Sequence, residues 1–124
     1  MAKKQKDMSK DARISREERI LRRRYKDMPK DAQAMYSGLI RRAAYMRVTL
    51  EDYEAYLDEN GSVEMFSQSE KLEPYERERP VARLYNSMNK NYQSIMKLLN
   101  DALPEPMAAD KADEILRFAA GAKK

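Results

Sequence analysis

Apolar positions recur at helical spacing through most of this chain, and the longest unbroken run lies between Pro80 and Pro104. Val81, Met88, Ile95 and Ala102 repeat every seven residues, as do Tyr85, Tyr92 and Leu99, while Leu84 and Leu98 flank Asn91 in a third row. Proline suits the first turn of a helix, where its missing N–H has no partner to lose, and the residue before a proline leaves the helical region. Pro80 and Pro104 therefore bound one helix, about 33–36 Å long at ~1.5 Å per residue. Three adjacent apolar rows exceed what a two-helix seam buries. This helix must pack on more than one neighbour, and other copies of the chain are candidates for some of them.

Upstream, Ala32, Met35, Tyr36, Leu39, Ile40, Ala43 and Met46 follow the i, i+3, i+4, i+7 spacing of a core helix over 30–46, in which Gly38 permits a close crossing. Val48-Thr49 reads as the next boundary. Thr49 with Asp52 is a variant capping box, and Val48 with Tyr53 has the staple spacing. A helix over 49–60 then turns Leu50, Tyr53, Tyr56 and Leu57 inward and Glu51, Asp52, Glu54, Asp58 and Glu59 outward. Asn60-Gly61 is a helix-stop pair, although Val63, Met65 and Phe66 prolong the apolar trend into either a continued helix or a second short turn. Residues 67–79 read as a polar, extended connection, and no segment has a convincing strand pattern.

At the N-terminus, residues 1–10 are polar and read as disordered unless bound. Ser15 is a candidate cap for a helix running to about Asp27, with Ile14, Leu21, Tyr25 and Met28 on one face and Arg16, Arg19, Arg23 and Lys26 on another. At the other end, residues 105–109 form a proline-containing linker. Residues 110–120 are amphipathic through Ile115, Leu116 and Phe118, stopped by Gly121. That segment either docks on a partner or packs back on its own body.

The expected fold is therefore all-α. It comprises a basic N-terminal arm and helix (1–28), a core (29–104) made of a helical hairpin and the long helix, and a short C-terminal docking helix after its linker (105–124).

Charge sharpens this division. Residues 1–30 hold 12 Lys/Arg against 5 Asp/Glu, a net of +7, whereas residues 31–124 hold 13 against 16, a net of −3. A basic arm on a mildly acidic body is a common arrangement for nucleic acid, through phosphate neutralisation and counterion release. The candidate contacts are Lys3, Lys4, Lys6, Lys10, Arg13 and Arg16 in the arm and first turns. Arg19, Arg22, Arg23, Arg24 and Lys26 follow, and Arg41 and Arg42 extend the surface. A solvated basic face or a solubilising tail would have the same composition.

Composition excludes more than it includes. The 124 residues contain no Cys and no His, which removes disulfides, the usual zinc sites and the Ser-His and Cys-His nucleophile pairs. Three glycines, at positions 38, 61 and 121, build no phosphate-cradling loop. The Glu51–Glu59 carboxylates invite comparison with a nuclease metal site. Such a site needs ligands converging from several elements, and these read as a solvated face, so no metal and no cofactor are expected. Mean hydropathy is −0.92, no apolar run approaches the ~18 residues of a membrane span, and no secretory signal is visible.

The order of these features resembles the small terminase subunits of tailed bacteriophages, especially those of Gram-positive phages and prophages. The residues that carry the resemblance are Val48-Thr49-Leu50-Glu51-Asp52-Tyr53, Tyr56 through Gly61 with Met65-Phe66, and Pro74-Tyr75-Glu76-Arg77-x-Arg79-Pro80. Tyr85-Asn86, Lys90-Asn91-Tyr92 and the closing Met96-Lys97-x-Leu99-x-Asp101-x-Leu103-Pro104 complete it over roughly 28–104. These motifs are structural, so less specific than a catalytic signature.

The resemblance implies a non-enzymatic, ring-forming helical protein in the host bacterial cytoplasm. Such a subunit binds double-stranded viral DNA at the packaging start and presents it to a large terminase subunit, which supplies the ATPase and nuclease. The ring contacts would fall on Val81, Leu84, Tyr85, Met88, Tyr92, Ile95 and Leu99, and Ile115, Leu116 and Phe118 would meet the large subunit. Many relatives carry a helix-turn-helix that is not evident here. A small helix-turn-helix transcriptional regulator is the alternative, and an adaptor whose arm binds an acidic protein surface is a third reading.

Overall fold

A computed structural model of the chain describes residues 8–103. These form three helices and one small hairpin: α1 (Lys10–Arg23), α2 (Lys30–Asn60), β1 (Val63–Phe66), β2 (Tyr75–Glu78) and α3 (Pro80–Ala102). The architecture is mostly helical, as the periodicity implies, with a two-stranded antiparallel sheet added. The docking residues Ile115, Leu116 and Phe118, and the arm residues Lys3, Lys4 and Lys6, lie outside the described residues.

α1 begins earlier than Ser15 suggests. Ser9 is its cap, and the Ser9 hydroxyl accepts the Ala12 N–H at 3.0 Å, satisfying one of the donors that a helix start leaves open. Ser15 lies within the helix. The helix also stops short of Asp27: the Arg24 and Tyr25 N–H groups donate to Leu21 and Arg22 carbonyls in a tightened last turn. Gln33 then reaches back from α2 and donates to the Met28 carbonyl at 2.7 Å and the Lys26 carbonyl at 3.1 Å, which pins the connection before Pro29.

The expected boundary at Val48-Thr49 does not exist. α2 is one helix of 31 residues, about 46 Å long. Nothing between Gly38 and Asn60 lacks a backbone donor or favours a left-handed turn, so the backbone ladder runs through. The middle of the helix is also its most buried part, with Val48, Thr49 and Leu50 all enclosed. Asp52, the supposed partner in a capping box, is held by Arg13 of α1 instead. The 30–46 and 49–60 pair expected as a helical hairpin is thus a single rod. The antiparallel pairs are α1 with α2 and α2 with α3. Asn60-Gly61 does end the helix: Gly61 has φ 81° and its N–H donates to the Leu57 carbonyl at 2.7 Å, a conformation glycine adopts without a Cβ penalty.

The segment after Gly61 is neither helix nor a second turn. β1 and β2 pair with Val63 opposite Glu78, Glu64 opposite Arg77, Met65 opposite Glu76 and Phe66 opposite Tyr75. One face carries an edge-to-face Phe66–Tyr75 pair, with Arg77 stacked 3.5 Å over the Phe66 ring and ion-paired to Glu64 at 2.7 Å. The other face carries Val63 and Met65 into solvent. α3 starts at Pro80 and ends at Ala102, as the sequence implies.

The core sits where α1, the first half of α2 and the end of α3 meet: Ile14, Leu21, Tyr25, Ile40, Ala43, Ala44, Val48, Leu99 and Leu103. Three of the four residues assigned to the inner face of the first helix are buried there, and Met28 packs against them. The Tyr25 hydroxyl donates to the Leu99 carbonyl at 2.7 Å, joining the α1–α2 connection to the last helix. Burial raises the Tyr25 pKa above the ordinary tyrosine value.

A candidate nucleic-acid interface

Charge on α1 is sorted by face. Its acidic residues turn toward α2 and meet arginines there. Glu18 accepts from Arg41 at 3.0 Å and from Arg22, Asp11 lies 3.7 Å from Arg41, and Glu17 lies 3.7 Å from Arg47. The Arg22 hydrogen bond, assisted by Arg41, holds the Glu18 carboxyl below its ordinary range although burial opposes it. Arg13 is also inward. It donates to Asp52 at 2.6 Å and Glu51 at 3.3 Å with 16% of its side chain exposed, and the Asp52 hydrogen bond raises its pKa further.

Arg16, Arg19 and Arg23 follow the spacing i, i+3, i+7, which places them together on one face. That face is opposite Ile14 and Leu21. All three are exposed, and among the described residues none has an ion-pair partner. Arg24 and Lys26 continue this exposed cationic surface into the connection. Because α1 spends its carboxylates on α2, its outer face is left cationic.

The structure therefore divides the ten candidate DNA-contact residues that it describes. Arg13 is committed to the α1–α2 seam. Arg22 and Arg41 are shared with Glu18, and Arg22 also donates to the Ser37 hydroxyl at 3.0 Å. The Lys10 ammonium sits 4.7 Å over the Tyr45 ring. Arg42 is exposed on a separate groove of α2. Arg16, Arg19, Arg23, Arg24 and Lys26 remain exposed, without an ion-pair partner among the described residues.

The candidate ring contacts divide as well. Leu99 is fully buried in the chain's own core, and Tyr92 and Ile95 pack against that core. Tyr85 donates to Glu54 at 2.9 Å. Val81 and Met88 are half-buried, while Leu84 is 53% exposed. Leu98, outside that set but in the row of Leu84 and Asn91, is 57% exposed.

The Glu51–Glu59 carboxylates do not converge: Glu51 and Asp52 face Arg13, and Glu54 accepts from Tyr85. Among the described residues no group of acidic side chains is arranged to hold a metal ion.

Sequence reading missed the β-hairpin and its exposed Val63 and Met65. The signal was there in Val63-x-Met65-x and Tyr75-x-Arg77-x, alternating segments too short to stand out against helical periodicity.

Fold and site define a helix-rich chain with one cationic outer face. No protein-family model, curated protein or solved structure matches it. Among the described residues no helix is long and apolar enough to cross a membrane.

Proposed function

We propose that this chain is a DNA-binding assembly subunit of the small-terminase type, without catalytic chemistry of its own. Several copies form a closed ring whose rim presents the outer face of α1 to duplex viral DNA at the packaging start. A large terminase subunit, docked through the C-terminal segment, then receives the DNA. The observation that carries the reading is the sorting of charge on α1, with carboxylates spent on Arg41 and Arg47 and Arg16, Arg19 and Arg23 turned outward. A few phosphate contacts per chain bind weakly at physiological salt, and a ring sums them through effective concentration.

The helix-turn-helix regulator has less support. That motif crosses two short helices at a steep angle over a turn of about three or four residues. Here hydrogen bonds and ion pairs zip α1 along a much longer α2 in antiparallel order, from Arg22 donating to Ser37 to Arg13 paired with Asp52.

The test is duplex binding by the full chain across a salt series, with native mass measured in parallel. Salt-dependent binding by a large homo-oligomer supports the reading. A strict monomer without duplex affinity refutes it. Deleting residues 1–27 is not a clean variant, because it strips Ile14, Leu21 and Tyr25 from the core.

A further inference from the structure

Among the described residues, two of the uncovered apolar surfaces have matching chemistry. The first is the outer face of the hairpin, where Val63 is 48% and Met65 65% exposed. Glu76 lies directly across from Met65 and Glu78 across from Val63, so the apolar knob is edged by carboxylates. The two strands pair with each other and hardly touch the helices. An isolated two-stranded hairpin is marginal in water and needs a surface to pack on.

The second surface is a groove of about 550 Å³ lined by Gly38, Arg41, Arg42, Tyr45, Met46 and Met88. Its walls are apolar, and Gly38 keeps its floor low: a Cβ there would stand 3.2 Å from the Arg42 guanidinium. Its rim is cationic. Arg41 is occupied by Glu18, whereas Arg42 has no carboxylate partner among the described residues and lies exposed. Glu76 on the hairpin likewise has none. From Arg42 to the end of α2 at Asn60 the helix rises about 27 Å, and from Pro80 to Met88 α3 rises about 12 Å, so Arg42 is the part of the groove farthest along the helices from the hairpin of its own chain.

We propose that the hairpin of one copy seats Val63 and Met65 in the Gly38–Met88 groove of the next, with Glu76 of the first meeting Arg42 of the second. This rests on the ring reading above and names its contact. A contact between two different surfaces is heterologous, and heterologous contacts repeat around a closed ring. It also covers the hairpin's apolar face.

The experiment is native mass spectrometry of the full chain and of Arg42→Glu, Glu76→Arg, the double variant and an equimolar mixture of the two single variants. All changes are at exposed positions, and circular dichroism checks that helix content is unchanged. The expected wild type is a defined multiple of 14.6 kDa. Each single variant falls to monomer, and both the double variant and the mixture regain the assembly. Met65→Asp, which removes the knob without touching the charge pair, also gives monomer. A monomeric wild type overturns the ring and this contact together. An oligomeric wild type with every variant equally oligomeric overturns the contact alone. So do single variants that dissociate without rescue by the mixture or the double variant.

Discussion

Two sets of arginines on α1 lie within a turn of one another and must answer differently to substitution. Changing Arg16, Arg19 and Arg23 to Gln removes three outward charges and touches no buried contact. If each neutralises one phosphate, the slope of log affinity against log salt shallows by about 2.7 per chain. At ~0.15 M salt, extrapolated from ~1 M, that corresponds to a loss on the order of 100-fold. Urea stability is unchanged within about 0.5 kcal/mol, as for most surface substitutions.

Arg13→Gln does the opposite. It leaves Asp52 without its cation and Glu51 with Arg47 alone at 3.5 Å, and since these carboxylates are 43% and 39% exposed they recover part of their hydration. The cost is therefore at the low end for charged hydrogen bonds, about 1.5 kcal/mol, with no change in salt slope. Fluorescence anisotropy on a labelled duplex over a salt series measures the slopes, and urea melts followed by circular dichroism measure stability. The reasoning is refuted if the triple variant keeps the wild-type slope, or if Arg13→Gln flattens it as much.

Three further outcomes follow from buried or paired groups. Thr49 is 5% exposed with its hydroxyl unpartnered, so Thr49→Val, which keeps the branched shape, raises stability by about 1 kcal/mol; a lower urea midpoint would show that the hydroxyl is bonded after all. Tyr25→Phe loses the hydrogen bond to the Leu99 carbonyl and costs about 1–1.5 kcal/mol, read as a lower urea midpoint with an unchanged m-value, and no loss would rule the bond out as a stabilising contact. Glu18 has a folded-state pKa below its ordinary value of 4.5, so its contribution is complete above that value and fades as the pH falls through the lowered one. The stability gap between wild type and Glu18→Gln therefore narrows as a urea-melt series descends from pH 6 toward pH 3, and a gap that widens would contradict the Arg22–Glu18–Arg41 cluster.

Local rules carried the reading of α3. Pro80 and Pro104 act on their own backbone neighbours, so both ends of the helix were legible from the chain. The inner face of α1 was legible too, because Ile14, Leu21 and Tyr25 repeat at helical spacing whatever they pack against. Thr49 misled for the same local reason. A capping residue is favourable at a helix start only when its side chain has an open N–H to accept and the helix has cause to begin there. Burial of Val48 and Leu50, and a guanidinium from Arg13, 39 residues before Asp52, carried the helix through.

The hairpin failed to show for a related reason: Phe66 and Tyr75 stabilise it by meeting each other across a loop, which neither four-residue segment announces. The site divides along the same line. That the first thirty residues are basic is a property of composition. Which arginines face outward is a property of packing, since Arg13 and Arg16 differ by one turn and the neighbouring helix takes one and leaves the other. Periodicity and proline placement act over a few residues and survive in the linear chain. Charge pairing and strand pairing join residues far apart, and they exist only once the helices have packed.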